Sequence, residues 1–447
     1  MNSITFFINQ ALAFLISLQG MLAIVVGVIV CAVVYSKPKA KWLAFSLLLF
    51  AALVSPAIGG WRVYEVEQYL HPLFAKMQNL SRLLCLFWLI VLTVGLFVQV
   101  PSWRRQIVGT GTAVFFLAHF TLAIRLLFTD VAQRGVVSIP LLILLGLVFV
   151  AGLGRWLQGP QDVRKILLAV VAAGAMFVLC SFFQYVLEPN SVKWRGRFYG
   201  IGSNPQQVGL VMASVVTIAI YFVTRRDENK YIRLAMIGLI PFMLASTIWT
   251  GSRLSLLAVA TGAVLMLYNK LGKAIFLLPL LILLLIAVES FIGIDLEVKE
   301  RITSTENTRT HVWANQIDEF KESPFFGQVV DRWKPGESSW LGMARVAGML
   351  GLLPLTIAVI LMIKETFVVW RQRYLLGAEA PTVDVVIALF GLLMLYSIGE
   401  AYMLMPLSLG FMFLLINLAV LRLLREMQEN SNMSIHDANA LYPQMRG

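Results

Sequence analysis

The sequence predicts an all-α integral membrane protein, a polytopic helical bundle of about 12–14 transmembrane helices. Of its 447 residues, 59% are hydrophobic and only 13% are charged, whereas soluble domains average about 45–50% apolar and about 25% charged residues. Apolar runs of about 18 residues or more, the length of a membrane-spanning helix, recur from one end of the chain to the other. These runs are continuous and do not alternate with polar residues, which excludes a membrane β-barrel.

The formal net charge of +12 is explained by membrane topology better than by a nucleic-acid partner. Cytoplasmic loops of membrane proteins are enriched in Lys and Arg. Here Lys37, Lys39 and Lys41 directly follow the first apolar run, which predicts that the first span ends in the cytoplasm and that the N-terminus lies outside. The three cysteines all lie within apolar runs and indicate no disulfide framework.

Residues 1–292 form the first predicted unit, with ten transmembrane helices joined by short loops. The predicted spans are 17–35, 42–59, 80–99, 107–128, 136–154, 166–187, 207–223, 234–249, 254–269 and 274–292. On this topology the segment 188–206 and the turn 250–253 both lie on the outer side of the membrane, away from the cytoplasm.

One long polar segment, 293–339, follows the tenth span and is predicted to be a large, partly helical periplasmic loop. A second membrane unit, 340–426, contains the last three spans, 340–363, 383–400 and 404–421. The polar tail 427–447 is predicted to be disordered in the cytoplasm. Because the long loop is the one sizeable extramembrane element, we expect the functional site beside it.

Four arginines are predicted at or near the outer face: Arg195 and Arg197 after span six, Arg253 after span eight, and Arg309 in the long loop. Basic residues on this side oppose the usual insertion bias, which makes a function a reasonable hypothesis. The planar guanidinium group matches phosphate oxygens and keeps its charge. Together the four would bind a diphosphate; the alternative is that each is an interfacial arginine that reaches lipid head groups.

Two acids are candidates for proton transfer or for orienting an arginine. Glu337 stands where the loop re-enters the membrane, and partial desolvation would make it a general base. The alternative is a solvated acid that caps span eleven. Glu400, near the outer end of span twelve, is an intramembrane acid that orients an arginine or a substrate, or pairs structurally. His311 is better explained as a packing residue of an amphipathic loop helix.

No metal or cofactor is predicted. The four histidines are scattered and show no metal-ligand spacing. The sequence also has no acid pair for a divalent ion, no phosphate-binding loop and no dinucleotide fingerprint.

Four pieces of sequence resemble the O-antigen ligase and O-antigen polymerase superfamily of bacterial membrane glycosyltransferases. They cover roughly 195–360, and they read RFYGIGSNPQQVGLVMAS, TGSRLSLL, TRTHVWANQIDEFKESPFFG and ESSWLGMARVAGMLGLLPL. Their order and spacing, more than any single piece, carry the resemblance.

The resemblance implies a GT-C-like enzyme that uses a glycan donor on undecaprenyl diphosphate, at the periplasmic face, without a metal. By match of motif, Arg253 and Arg309 would hold the diphosphate. Asn204, in the Asn-Pro pair of the first piece, joins His311 and Glu400 as a secondary candidate. In the ligases a histidine opens the motif His-Asn-x-x-Leu, and here the aligned residue is Glu337, followed by Ser338, Ser339, Trp340 and Leu341.

Loss of that histidine favours the polymerase branch. We therefore expect an inner-membrane enzyme that joins lipid-linked repeat units into a surface polysaccharide, with inversion at the anomeric carbon and Glu337 as base. Membrane lipids and a chain-length regulator would be its further partners. The alternatives are a ligase that transfers the finished glycan to a lipid A-core or protein acceptor, and, in another class, a lipid-linked oligosaccharide transporter. A transporter predicts charges deep inside several spans and internal repeats.

Overall fold

The computed structural model describes residues 18–36, 40–55, 70–98, 109–194, 196–202, 204–225, 227–272, 309–329 and 336–441. Within these residues the protein is an all-α, multi-pass membrane protein, as its composition predicts. Eight of its helical segments are long and apolar enough to cross a membrane. The predicted tenth span, 274–292, lies outside the described residues.

Each predicted span within the described residues overlaps a helix. In chain order they are α1 (Leu18–Ser36), α2 (Ala40–Val54), α3 (Pro72–Val98), α4 (Thr110–Leu127), α5 (Ala132–Leu145), α6 (Leu153–Trp156), α7 (Pro160–Leu187), α8 (Pro205–Thr224), α9 (Lys230–Trp249), α10 (Arg253–Leu271), α11 (Thr310–Glu322), α12 (Ser339–Arg371), α13 (Ala380–Gly399) and α14 (Leu409–Leu441). Helices α3, α12 and α14 extend eight or more residues beyond their predicted spans. A π-helical segment, Gly146–Gly152, joins α5 and α6. A two-stranded antiparallel hairpin, β1 (Lys193–Trp194) and β2 (Arg197–Phe198), follows α7.

Helix α8 forms the centre of the bundle, since 78% of the residues in its most apolar stretch are buried, against 22% in the neighbouring helix α9. Small residues allow the close approach. The side chain of Ser255 from α10 packs against Gly209 of α8, and the side chain of Thr217 from α8 packs against Gly262 of α10. Small-residue contacts of this kind are the usual basis of tight helix packing in membranes. The result is a fixed core of α8, α10 and α13.

Helix α12 breaks at Gly348, where the backbone adopts a positive φ of 58°. The segment that follows α11 repairs the break: the carbonyl of Pro324 accepts from the N–H of Met349 at 2.8 Å, and the N–H of Gln328 donates to the carbonyl of Arg345 at 2.7 Å. Backbone groups freed inside a membrane protein need such partners. The C-terminal end of the loop helix α11 is therefore joined to α12 by main-chain bonds.

Arg125, near the end of α4, holds the same segment from the other side. Its guanidinium group donates to the carbonyls of Phe326 at 2.7 Å and of Gly327 at 3.1 Å. Arg125 is a charged residue within the predicted span 107–128, and it bonds main-chain carbonyls of the segment 323–329.

The tail prediction is wrong for most of its length, because α14 continues to Leu441. The extension begins with packed residues: Gln428 is fully buried and donates to the carbonyl of Val369 on α12 at 2.8 Å. The residues after it contain no Gly or Pro before Pro443 that would end the helix. Residues 442–447 lie outside the described residues.

Ion pairs gather at the end of the bundle where α8 finishes and α13 begins. Arg225 binds Glu379 at 3.0 Å and Asp227 at 2.5 Å, and it donates to the Tyr221 hydroxyl at 2.7 Å. The hydrogen bond from Arg225 lowers the pKa of Asp227 below its ordinary value. This arginine is only 9% exposed, so its pairs are largely removed from solvent.

We predict that Arg225→Met lowers the free energy of unfolding by about 3 kcal/mol, because it leaves the carboxylate of Glu379 without its cation in a half-buried place. The thermal midpoint of the purified protein measures the effect. Lys321→Met is the matched control, since Lys321 pairs with Asp318 where both side chains are 68% exposed, and we expect a change below about 0.5 kcal/mol. Equal losses in the two variants would contradict the assignment.

Candidate functional site

Arg197, Arg309, Glu337 and Glu400 converge at the end of the bundle opposite Arg225, and we call them the polar cluster. They come from four separate parts of the chain: β2, the residue before α11, the position two residues before α12, and the residue after α13. The sequence predicted each of them as a candidate, with the arginines together at a diphosphate site and Glu400 orienting an arginine, but it did not predict that Arg309 pairs with both acids.

Arg309 is the centre of the polar cluster. Its Nη2 lies 2.5 Å from Oε1 of Glu400, and its Nε lies 3.2 Å from Oε2 of Glu337. Its Nη1 also donates to the main-chain carbonyl of Glu337 at 3.4 Å. The guanidinium group lies against Gly399, where an added Cβ would stand 2.8 Å from Nη1. One cation is thus held between two carboxylates and a glycine that makes room for it.

Glu400 is the more buried of the two acids, with 13% of its side chain exposed. Helix α13 ends at Gly399, so Glu400 is the residue that follows the span. Burial raises its pKa from 4.5 to about 7, while the charge and hydrogen bond of Arg309 act in the opposite direction, as does the weaker charge of Arg197. Near neutral pH this carboxyl group is therefore able both to take and to give a proton.

Glu337 is 41% exposed and lies two residues before the start of α12. It does not cap that helix, because the hydroxyl of Ser338 is the cap and accepts from the N–H of Leu341 at 3.5 Å. The alternative interpretation of Glu337 as a capping acid is therefore wrong. Its carboxylate instead faces Arg309.

Ser339 and Trp340 fix the start of α12 to the turn that carries Glu400. The Ser339 hydroxyl donates to the carbonyl of Glu400 at 2.6 Å and accepts from the N–H of Met403 at 3.3 Å. The indole N–H of Trp340 donates to the Ser397 hydroxyl at 3.0 Å. Sequence reasoning missed both residues, although they directly follow Glu337 in the motif ESSW.

Arg197 is 6% exposed, and its Nε donates to the carbonyl of Thr250 at 2.7 Å. That carbonyl belongs to the tight turn before α10, in which Gly251 adopts a positive φ of 60°. The neighbouring Phe198 stacks on Trp249, with ring centroids 5.2 Å apart. The hairpin thus locks Arg197 against the end of α9, where its charge reaches Glu400.

A hydroxyl pair lies beneath the polar cluster and was also missed by the sequence analysis. Tyr396 of α13 donates to the carbonyl of Gln206 on α8 at 3.0 Å, and the hydroxyls of Tyr396 and Ser255 are hydrogen-bonded to each other. Both residues are fully buried. They join the three central helices directly below the charged groups.

The other predicted residues are placed as follows. Arg253 begins α10 and is exposed, and the next residue, Leu254, lies against Gly399 beside Arg309. Asn204 caps α8, with its Oδ1 accepting from the N–H of Gln206 at 2.8 Å, which is a structural role. His311 is exposed on α11 and makes no hydrogen bond or ion pair with the described residues. Arg195 lies outside the described residues.

In the described part of the chain, no three His, Cys, Asp or Glu side chains stand close enough to hold a metal ion. Comparison with models of known protein families finds no match, and comparison with curated proteins finds none either.

We predict that Glu400 makes the protein less stable as the pH rises. Its pKa is raised in the folded state, so the stability associated with its neutral form is present below its ordinary value of 4.5 and is lost as the pH rises through about 7. The thermal midpoint should fall between about pH 5 and 8, and Glu400→Gln, which cannot ionise, should show a smaller fall. Glu429→Gln, at a side chain that is 53% exposed, should keep the wild-type slope. A wild-type slope in Glu400→Gln would contradict the prediction.

Proposed function

We propose that this chain is a membrane glycosyltransferase that joins undecaprenyl-diphosphate-linked oligosaccharide repeat units into a surface polysaccharide. The observation that carries the proposal is the polar cluster: Arg309 pairs with two carboxylates at one end of a membrane bundle, and the charge of the neighbouring Arg197 acts on one of them, Glu400. Arg253 lies exposed at the start of α10, next to the residue that contacts Gly399 beside Arg309. Such a group of fixed cations suits the diphosphate that leaves in this reaction.

Arg309 links binding of the leaving group to release of a base. It holds Glu337 and Glu400 together, and an incoming diphosphate competes with these carboxylates for the same guanidinium group. Once displaced, a carboxylate is free to accept a proton. The site would thus expose its base only when the donor is bound.

Glu337 is the proposed base because its greater exposure leaves it accessible to an acceptor hydroxyl. The acceptor oxygen forms a bond to the anomeric carbon on the face opposite the diphosphate, and its proton passes to Glu337. The bond between the anomeric carbon and the diphosphate oxygen breaks, and its electron pair leaves with the diphosphate. One displacement without a covalent intermediate inverts the anomeric centre. Glu400 keeps Arg309 oriented throughout.

The distribution of charge supports a periplasmic site. The opposite end of the bundle carries the basic residues Arg164, Lys165, Arg225, Lys230 and Arg233 at or near the ends of α7, α8 and α9. By the positive-inside rule that end belongs in the cytoplasm of a bacterial inner membrane. The polar cluster then faces the periplasm, where lipid-linked glycans are assembled in the superfamily that the sequence resembles.

The contacts of Arg125 weaken the transporter alternative. A transporter needs charged groups that line a path through the bilayer, whereas Arg125 bonds the carbonyls of Phe326 and Gly327. The ligase alternative shares the same donor chemistry, and the two are separated by the acceptor.

The direct test is an assay with purified protein and undecaprenyl-diphosphate-linked repeat units in EDTA, with the products separated by size. A ladder of longer lipid-linked chains supports a metal-independent polymerase. Transfer only after a lipid A-core or protein acceptor is added would make the chain a ligase. Absence of both products would refute the glycosyltransferase proposal.

Arg309→Ala and Arg253→Ala are expected to lower extension by about 100-fold or more, because each removes a charge from the leaving-group site. Lys321→Ala, on the exposed side of α11, is the control and should extend chains at the wild-type rate. A loss of extension supports the diphosphate site only when the variant protein inserts normally. Normal polymer from either arginine variant would rule out the diphosphate site. Glu337→Gln should be similarly slow, because an amide cannot accept the acceptor proton at neutral pH.

Gly399→Ala should reduce extension at least about tenfold while the protein still folds. The added methyl group would stand 2.8 Å from Nη1 of Arg309 and 2.9 Å from Cδ2 of Leu254, so the guanidinium group must leave its position between the carboxylates. Gly238→Ala, in α9, is the matched control, since an added Cβ there meets nothing within 4 Å. Equal activity of the two variants would show that the observed position of Arg309 is unimportant.

A further inference from the structure

The inner side of α11 carries two polar side chains, Trp313 and Gln316, which we call the inner pair. Gln316 is only 3% exposed. In the part of the chain that the structure describes, neither Oε1 nor Nε2 of Gln316 has a hydrogen-bond partner, and the buried Nε1 of Trp313 has none either. The two residues are three positions apart and therefore lie on the same side of the helix.

Buried polar groups without partners destabilise a folded protein, so native structures satisfy nearly all of them with protein groups, water or a ligand. Three such atoms on adjacent turns of one helix indicate a binding site for a ligand. Polar atoms that make their hydrogen bonds only with a bound ligand have no partner in the protein alone.

The inner pair adjoins the polar cluster. The amide of Gln316 packs directly on Gly336, which adopts a positive φ of 84° and has no space for a Cβ. Gly336 is the residue before Glu337. Arg309 precedes Gln316 by seven residues, a rise of about 10 Å along the helix. A substrate whose diphosphate reaches Arg309 would therefore bring its next few groups to the inner pair.

The charges around the inner pair are already matched. Arg309 pairs with Glu337 and Glu400 on one side, and Arg345 pairs with Glu319 on the other. The groups that lack partners are a neutral amide, which donates and accepts, and an indole N–H, which only donates. A hydroxyl group also donates and accepts. The chemistry selects an uncharged ligand rich in hydroxyl groups over a second anion.

We propose that the inner pair is the binding subsite for the sugar residues next to the bond that reacts, an inference that rests on the proposed function. The C-terminal half of helix α11 is bonded to α12, through the ion pair of Glu319 with Arg345 and through the segment 323–329. Its N-terminal end is held by the ion pairs of Arg309 with Glu337 and Glu400, and the donor diphosphate replaces the pair with Glu337. Binding of the diphosphate therefore loosens that end and admits the sugar beneath the helix.

The first test is the thermal midpoint of the full-length protein without substrate. Gln316→Leu should leave the midpoint unchanged or raise it, because it removes atoms that have no partners. Gln78→Leu is the matched control: Gln78 is equally buried, but its Nε2 donates to the carbonyls of Ile201 at 2.9 Å and Gly202 at 3.1 Å, so this variant should lower the midpoint. If Gln316→Leu lowers the midpoint as much, bound water already satisfies the amide and the subsite is refuted.

The second test compares the affinities of two ligands, undecaprenyl diphosphate and the same carrier bearing an oligosaccharide repeat unit. Wild-type protein should bind the glycan-bearing ligand about tenfold more tightly or better, and Gln316→Leu should bind both equally. Trp313→Phe, which removes the indole N–H but keeps an aromatic ring, should show a glycan preference between those of the wild type and of Gln316→Leu.

The two proposals fail in different ways. Tight binding of both ligands by wild-type protein without any preference for the glycan would refute the subsite and leave the proposed function intact. Absence of binding to either ligand, together with no extension in the polymerase assay, would refute both. An unchanged glycan preference in Gln316→Leu would also refute the subsite.

Discussion

The site of this protein depends on one cation placed between two anions. Arg309 holds Glu337 and Glu400 at 3.2 and 2.5 Å, and these acids lie just before α12 and just after α13. Without the guanidinium group, two carboxylates would face each other at the rim of a low-dielectric bundle and repel. The pair interaction thus sets the relative position of α12 and α13 at this end. With Arg197 included, the polar cluster contains two cations and two acids, so that its formal charges balance when both acids are ionised.

The fold was largely predictable from the sequence, because a helix that spans a bilayer needs an apolar run of a characteristic length. The bounds of α8, α10 and α13 fall within a few residues of the predicted spans. The break at Gly348 was not predictable, since its cause is a backbone segment some twenty residues earlier in the chain. The helical course of α14 beyond Met427 was missed for a related reason: polar composition suggested disorder, whereas Gln428 packs into the bundle.

The site was predictable residue by residue but not as an arrangement. Arg309, Glu337 and Glu400 were each candidates because charged groups at a membrane face need a reason to be there. Their pairing depends on Gly399, an unremarkable glycine in an apolar run, and on the hydroxyl of Ser339. Asn204 and His311 show the converse: each lies in a suggestive motif, but one caps a helix and the other faces solvent. Sequence patterns report which residue types are present, whereas partners are chosen by the three-dimensional packing.

The junction between the segment 323–329 and the break in α12 is built from main chain alone, apart from the requirement for two glycines. Gly327 lies against the backbone at Val346, and Gly348 lies against the backbone at Phe325. The hydrogen bonds of this junction join the main chains of the two segments and are made without side-chain atoms. The side chains of Phe325, Phe326 and Val329 are exposed and take no part in these main-chain bonds. Replacement of either glycine would undo both halves of the junction at once, so the two positions constitute a single mutational unit.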